Sequence, residues 1–216
     1  MYEDIVILNS VRKQFDLTGR TAVITGGAGF LGIQFAEAIA EMGGKSLLID
    51  INEKQLAEAG KKLNNNNYDN FSTYLLDITD ERKCKEIYNK IWQENRGIDI
   101  LINSAALTKA GIEDLNSDSF APFEDTDQNL WEAGLKANLT ATQLACKILG
   151  KKMVVRGKGN IINISSDIGV ISPNQNIYEP DDHGYEGVDF NSPAFYAVSK
   201  AGVIHLTKYL ATYWAK

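Results

Sequence analysis

The sequence predicts an α/β fold, a doubly wound parallel sheet with helices on both faces, and three observations carry that expectation. Short apolar runs alternate with segments of helical periodicity along most of the 216 residues. The runs are nearly continuous in Val, Ile and Leu, as strands covered on both faces are. A glycine-rich turn, "TGGAGFLG" at 25–32, joins the first run to the first helical segment.

The elements follow in order. "TAVIT" (21–25) is the first strand, and "IQFAEAIAEMGG" (33–44) is a helix whose Gly43-Gly44 pair suits a C-cap. "KSLLID" (45–50) is the second strand, "NEKQLAEAGKKL" (52–63) the second helix, and Asn64 to Asn67 a surface turn. "FSTYLLDIT" (71–79), a helix from Asp80 to Gln93, and "IDILINSAA" (98–106) continue the alternation. A long helix from Leu130 to Val155 precedes the strand "GNIINISS" (159–166), and the last helix runs from Pro193 to the end. With no internal repeat and no linker, 1–216 is expected to be one Rossmann-type domain.

Two polar segments interrupt the pattern, 107–128 and 167–192. Loops this long inside a domain are usually lids, binding loops or disordered inserts. Both follow the carboxyl ends of strands, where open α/β sheets bind ligands.

Composition narrows the function classes. At 44% hydrophobic and 23% charged, the chain has enough apolar content for one sizeable core. Its 28 acidic residues against 22 basic give a net charge of −6 without a Lys/Arg run, which argues against nucleic acid as a partner. Cys84 and Cys146 read as free thiols in a reducing compartment. "MYEDIVILNS" carries acidic residues where a signal peptide needs basic ones, and no apolar run approaches membrane length. A cytoplasmic protein with no membrane partner is expected. The two histidines are His183 and His205, so no metal site is expected, and no G-x-S-x-G of a serine hydrolase is present.

The glycine turn contains G-x-G-x-x-G at Gly27, Gly29 and Gly32, with Gly26 before them and Phe30 and Leu31 inside. A pyrophosphate needs backbone N–H groups aimed at it and no side chain in its way, and the next helix adds its positive end. Asp50 ends the second strand about 20 residues downstream, where a carboxylate accepts hydrogen bonds from adenosine ribose hydroxyls. The same charge repels a 2′-phosphate, and neither Asp50 nor Ile51 is followed by an Arg. NAD is therefore the expected cofactor, and NADP is disfavoured.

"YAVSK" lies in the last helix. An i,i+4 spacing puts Tyr196 and Lys200 on one face, about 5–6 Å apart at Cβ. A free tyrosine, with a pKa of about 10, is a poor base at neutral pH. A neighbouring ammonium favours its phenolate. In isolation, such a pair also arises by chance on exposed helices.

Together these motifs resemble the short-chain dehydrogenase/reductase family. That family pairs the glycine loop with Tyr-x-x-x-Lys, a serine after the fifth strand and an asparagine in the preceding long helix. "NISSDIG" supplies Ser166, with Ser165 the lesser choice, and "LKANLTAT" supplies Asn138. "LLDITD" gives Asp77 and Ile78, matching the family's adenine-contacting pair. "NSAA", with Asn103, Ser104 and Ala105, stands where the family usually has Asn-Asn-Ala-Gly.

The resemblance implies roles for these residues. Tyr196 would be the general acid/base, and Lys200 would tune Tyr196 and hold the nicotinamide ribose. Ser166 would hydrogen-bond the reacting oxygen. Asn138 would position a water or backbone group leading to Lys200. The reaction implied is hydride transfer between a nicotinamide cofactor and a secondary alcohol or carbonyl of a small-molecule substrate. An oligomer, a homodimer or homotetramer, is expected by resemblance alone.

The T-G-x-x-G-x-x-G spacing, with Phe30 where single-domain members carry glycine, resembles the extended branch of sugar-nucleotide epimerases and dehydratases. The catalytic half resembles the single-domain branch and covers more of the chain, so that branch is expected. The chain ends at Lys216 inside a helix, where family members continue with further strands; a truncated C-terminus is expected.

The insert 167–192 carries Asn174, Asn176, Tyr178, Glu179, Asp181, Asp182, His183 and Tyr185. These suit a hydroxylated substrate such as a sugar, and a solvated loop accounts for them equally well. The pattern around "GNIINISS" is similar to dehydrogenases of surface-glycan and flagellin-sugar biosynthesis. The competing class is a non-catalytic dinucleotide-binding sensor on the same fold. It has no need to retain Asn138, Ser166, Tyr196 and Lys200 together.

Overall fold

The structure is a computed structural model that describes residues 11–107, 121–178 and 191–215. Five strands, β1 (Thr21–Thr25), β2 (Lys45–Asp50), β3 (Phe71–Leu75), β4 (Ile100–Asn103) and β5 (Asn160–Asn163), form one sheet. Their order is β3-β2-β1-β4-β5, with β1 paired in parallel to β2 and β4, and β2 to β3. The chain reverses its direction of travel across the sheet between β3 and β4. The carboxyl ends of β1 and β4 are therefore the topological switch point at which such sheets take ligands. All five residues of β1 are buried, and Leu47, Leu48 and Ile49 of β2 are fully covered, which explains the unbroken apolar runs.

Helix α1 (Phe30–Glu41) begins directly on the glycine turn, earlier than its apolar spacing indicates, with Gly29 as N-cap. Gly43 at φ +81° turns the chain out of it, and the Gly43 and Gly44 amides donate to Ala40 and Ile39 carbonyls. Helix α2 (Glu53–Asn65) is capped by Asn52, whose side chain accepts from the Gln55 amide. It consumes two residues of the asparagine tract, so the turn falls at Asn66 and Asn67, the latter at φ 60°. Strand β3 is shorter than its apolar run because Asp77 starts a turn: its carboxylate accepts from the Thr79 amide and its carbonyl from the Asp80 amide. Asp80 then caps α3 (Glu81–Glu94).

The long helix, α4, is helical throughout 128–156, but it carries two π turns, Lys136–Thr140 and Cys146–Gly150. Asp127 caps its start, and Gly157 at φ 73° ends it. Helix α5 (Ala194–Tyr213) has Pro193 as N-cap.

The chain divides into two compact units, Met1–Ala105 with Ala145–Ile162, and Ala106–Leu144 with Asn163–Lys216. The first holds the sheet and α1 to α3. The second holds the N-terminal part of α4 packed on α5, around a core of Leu130 and Phe195 with Leu107, Trp131 and Tyr196 against it. His205, which the apolar stretch "GVIHLTKYL" marks as a packed or interface residue, is exposed on α5, because the buried side of that helix runs through Phe195, Ser199, Lys200 and Val203.

Candidate active site

In the first unit the glycine turn is dictated by crowding. Gly26 has φ +64°, and a Cβ there would sit 2.7 Å from Ala105 Cα. At Gly27 a Cβ would lie 2.8 Å from Leu48 Cα, and at Gly32 it would run into the Gly26 carbonyl and lie 2.7 Å from Gly27 Cα. These glycines let the turn lie flat on β1, β2 and α1. Gly29 is different, since a Cβ there would meet only the Gly26 carbonyl, at 3.2 Å. As in any helix, the first amides of α1 have no i−4 carbonyl to bond. They leave a cradle of N–H donors at a positive helix end, which fits a pyrophosphate. Phe30 is 84% exposed, so a bulky residue at that position costs the fold nothing.

Asp50 ends β2 and accepts from two backbone amides, Ala28 at 3.2 Å and Asn52 at 3.1 Å, tying the strand end to the glycine turn. A carboxylate has about four lone-pair sites, so it keeps acceptor capacity for ribose hydroxyls. Exposed Ile51 follows it, and exposed Leu75 pairs with it across β2–β3, leaving apolar surface beside the charge. Asp77 and Ile78 are half-buried in the turn after β3. The Cys84 thiol donates to the Ile78 carbonyl at 3.3 Å.

Asn103 is buried, and its amide nitrogen donates to Cys146 Sγ at 3.5 Å. The Ser104 and Ala105 amides donate to Thr25 Oγ1 at 3.2 and 3.3 Å. Thr25 thus staples β1 to the exit of β4, a role sequence reasoning missed although it opens the glycine motif. Burial pushes both thiols, Cys84 and Cys146, up to about 11.

The second unit holds Asn138, Ser166, Tyr196 and Lys200. Lys200 is only 3% exposed, its Nζ donates to the Ile164 carbonyl at 2.8 Å, and it lies 5.5 Å from the centre of the Tyr196 ring. Burial pulls the Lys200 ammonium below its ordinary value. The i,i+4 spacing therefore brings tyrosine and lysine together as expected.

Ser165 donates to the Lys200 carbonyl at 2.8 Å, and this internal bond occupies its hydroxyl. Ser166 is half-buried, and its hydroxyl donates to Asp167 Oδ1 at 2.9 Å. Asn138 sits in the first π turn, 1% exposed. Its oxygen accepts from the Leu107 amide at 2.6 Å, and its nitrogen donates to the Leu107 carbonyl and to Ser199 Oγ, both at 3.3 Å. Its side chain holds the backbone after β4 and does not bond Lys200. Ser199, inside "YAVSK", is a second residue that sequence reasoning passed over. In the insert, Asn174, Asn176 and Tyr178 are described, whereas Glu179, Asp181, Asp182, His183 and Tyr185 lie outside the described residues.

Residues 20–179 match the short chain dehydrogenase family. The chain belongs to that family. It is 30% identical over 206 residues to galactitol 2-dehydrogenase of Rhizobium johnstonii, covering 95% of this chain and 70% of that one. It is 28% identical over 203 residues to an NAD-dependent glycerol dehydrogenase of Listeria innocua, covering 94% and 68%. An NAD+-bound xylitol dehydrogenase shares its fold, with a TM-score of 0.75 at 24% identity over 92% of this chain and 66% of that one. The chain thus spans about two thirds of the length of these proteins. It is a nicotinamide-dependent oxidoreductase acting on CH–OH groups. Among the described residues no helix is long and apolar enough to cross a membrane.

Proposed function

We propose that this short-chain dehydrogenase oxidises a polyol or related sugar alcohol with NAD, the whole chain acting as one catalytic domain. The observation that carries the chemistry is the buried Lys200 held on the Ile164 carbonyl with its ammonium beside the Tyr196 ring. The substrate class rests on the galactitol and glycerol dehydrogenases it is similar to. The preference for NAD rests on Asp50 and on the NAD-dependent relative.

Gly26, Gly27, Gly29 and Gly32, with the amides of Phe30 and Leu31, would hold the pyrophosphate. Asp50 and Ile51 would hold the adenosine ribose, and Asp77 and Ile78 the adenine. Asn103, Ser104 and Ala105 would contact the nicotinamide side of the cofactor. When bound, NAD supplies the hydride acceptor.

Tyr196 takes the proton of the substrate hydroxyl on its phenolic oxygen. Ser166 turns its hydroxyl from Asp167 to the reacting oxygen and stabilises negative charge there. Lys200 keeps a positive charge next to both events. Asn138 fixes the Leu107 backbone. Two buried free thiols suit a cytoplasmic, reducing setting, and we place the protein there as a homodimer or homotetramer.

A screen of galactitol, threitol, glycerol, nucleotide sugars and aliphatic alcohols, followed by nicotinamide absorbance with NAD and with NADP, tests this. Turnover of polyols with NAD is expected. Tight NAD binding without turnover of any class would favour the dinucleotide sensor, and faster turnover with NADP would refute the role given to Asp50.

A further inference from the structure

Three of the contacts between the N-terminal part of α4 and α5 bear on how the two helices sit together. At one end the Phe195 ring lies against Gly134, so closely that no Cβ fits. At the other, Leu139 lies over Gly202, where a Cβ would be 2.7 Å from its Cδ2. Between them is the one polar contact of the three, the Asn138 nitrogen on Ser199 Oγ at 3.3 Å. Ser199 is 0% exposed and Asn138 1%. The Ser199 hydroxyl spends its own proton on the Tyr196 carbonyl, 2.8 Å away in the preceding turn. Each group is thereby satisfied: Ser199 Oγ donates once and accepts once, and both protons of the Asn138 amide have acceptors.

A buried polar pair of this kind has a consequence that apolar packing lacks. The glycine contacts set how closely the two helices approach, and the polar pair adds a directional demand that packing alone does not make. Sliding α5 by one turn would remove the acceptor from the Asn138 nitrogen and bury the Ser199 oxygen among apolar groups. A buried asparagine fixes register between helices on the same grounds. Tyr196 and Lys200 ride on the same helix, and the Tyr196 carbonyl is itself part of the chain of bonds.

We propose that Ser199 is a positioning residue for the reaction: it locks the axial register of α5 on α4 and so sets the place of Tyr196 and Lys200. Ser199 touches neither substrate nor cofactor and acts through Asn138 and the Tyr196 backbone. The proposal rests on the assignment of Tyr196 as the acid/base.

The test uses the full chain with Ser199→Ala, and with Ser199→Thr and Ser199→Val, which share a shape and differ by the hydroxyl. Hydrogen exchange of the 194–200 amides is read first, without cofactor or substrate. About tenfold faster exchange is expected for Ala and Val, and near wild-type exchange for Thr. In polyol oxidation, Ala and Val should lose about tenfold in kcat, while NAD affinity stays within about twofold, and Thr should restore at least half of kcat. If Ala does not fold, the Thr and Val pair decides. Thr and Val behaving alike, or exchange unchanged in Ala, overturns the proposal, as does faster exchange with kcat intact. Tyr196→Phe is measured alongside. Retained turnover in that variant defeats the acid/base assignment, whereas a dead Tyr196→Phe beside an unaffected Ser199→Ala defeats only the role of Ser199.

Discussion

Around Gly26 to Gly32 the groups offered to a ligand are backbone amides; around Asn138, Ser199 and Lys200 the polar work is done by buried side chains. The first region is built by leaving atoms out. Glycines at 26, 27 and 32 let the turn close on β1, β2 and Ala105, and Asp50 and Thr25 spend their side chains on backbone amides that hold the strand ends still. The second is built by satisfying atoms that would otherwise be orphaned. Asn138 grips Leu107 and Ser199, Ser165 grips the Lys200 carbonyl, and Lys200 grips the Ile164 carbonyl. The contrast implies different sensitivities: added bulk damages the first region, and a lost hydrogen bond damages the second.

The largest effect in the first region should come from Gly32→Ala. Its new methyl would run into the Gly26 carbonyl and open the turn. Overpacking of this kind costs about 1–3 kcal/mol, and NAD binding should weaken by up to about 100-fold, read by nicotinamide fluorescence titration. Unchanged affinity would show that the turn is not the cradle.

In the second region the adjacent serines sharpen the comparison. Ser166→Ala should lower kcat about 100-fold, in the range of other lost oxyanion donors. Ser165→Ala removes only the bond to the Lys200 carbonyl, so it should cost about 1 kcal/mol of stability and leave kcat within about twofold. Reversal of the two kinetic effects would reassign the catalytic serine.

These predictions follow how differently the two regions are legible in the sequence. The glycine turn is visible because a side chain at Gly26 would meet both a positive φ and Ala105, and one at Gly27 or Gly32 would collide with backbone, so the demand is written in residue type. The alternation of runs likewise gives the strand order its material, since β1 and β2 are covered on both faces. Asn138 and Ser199 are harder to see, because what matters is which buried groups meet across two helices distant in sequence. The π turns of α4 are invisible to apolar spacing, which continues through them. The contact of Asn103 with Cys146 is likewise one between residues distant in sequence, and the motif alone does not reveal it.

Smaller effects are tied to burial. Burial lowers the Lys200 ammonium from its ordinary 10.5, so the folded chain binds that proton less tightly than the unfolded one. The sign is then fixed: the unfolded state carries the extra proton, and stability rises with pH between the folded and unfolded values. Relative to Lys200→Met, the wild-type Tm should gain as pH is raised from about 8 to about 10. A gap that shrinks over that range would contradict the burial of the ammonium. Smallest of all, Cys84 and Cys146, both pushed up to about 11, should resist a thiol reagent at neutral pH until the chain is unfolded. A count of reactive thiols before and after denaturant reads this directly.

Proton transfer by Tyr196, as proposed above, is the step that a single substitution isolates. Tyr196→Phe removes one oxygen and nothing else, so NAD affinity by fluorescence and polyol oxidation by absorbance should separate completely. Affinity is expected within about twofold of wild type and kcat lower by about 10³-fold. Turnover retained in Tyr196→Phe would contradict the role proposed for Tyr196.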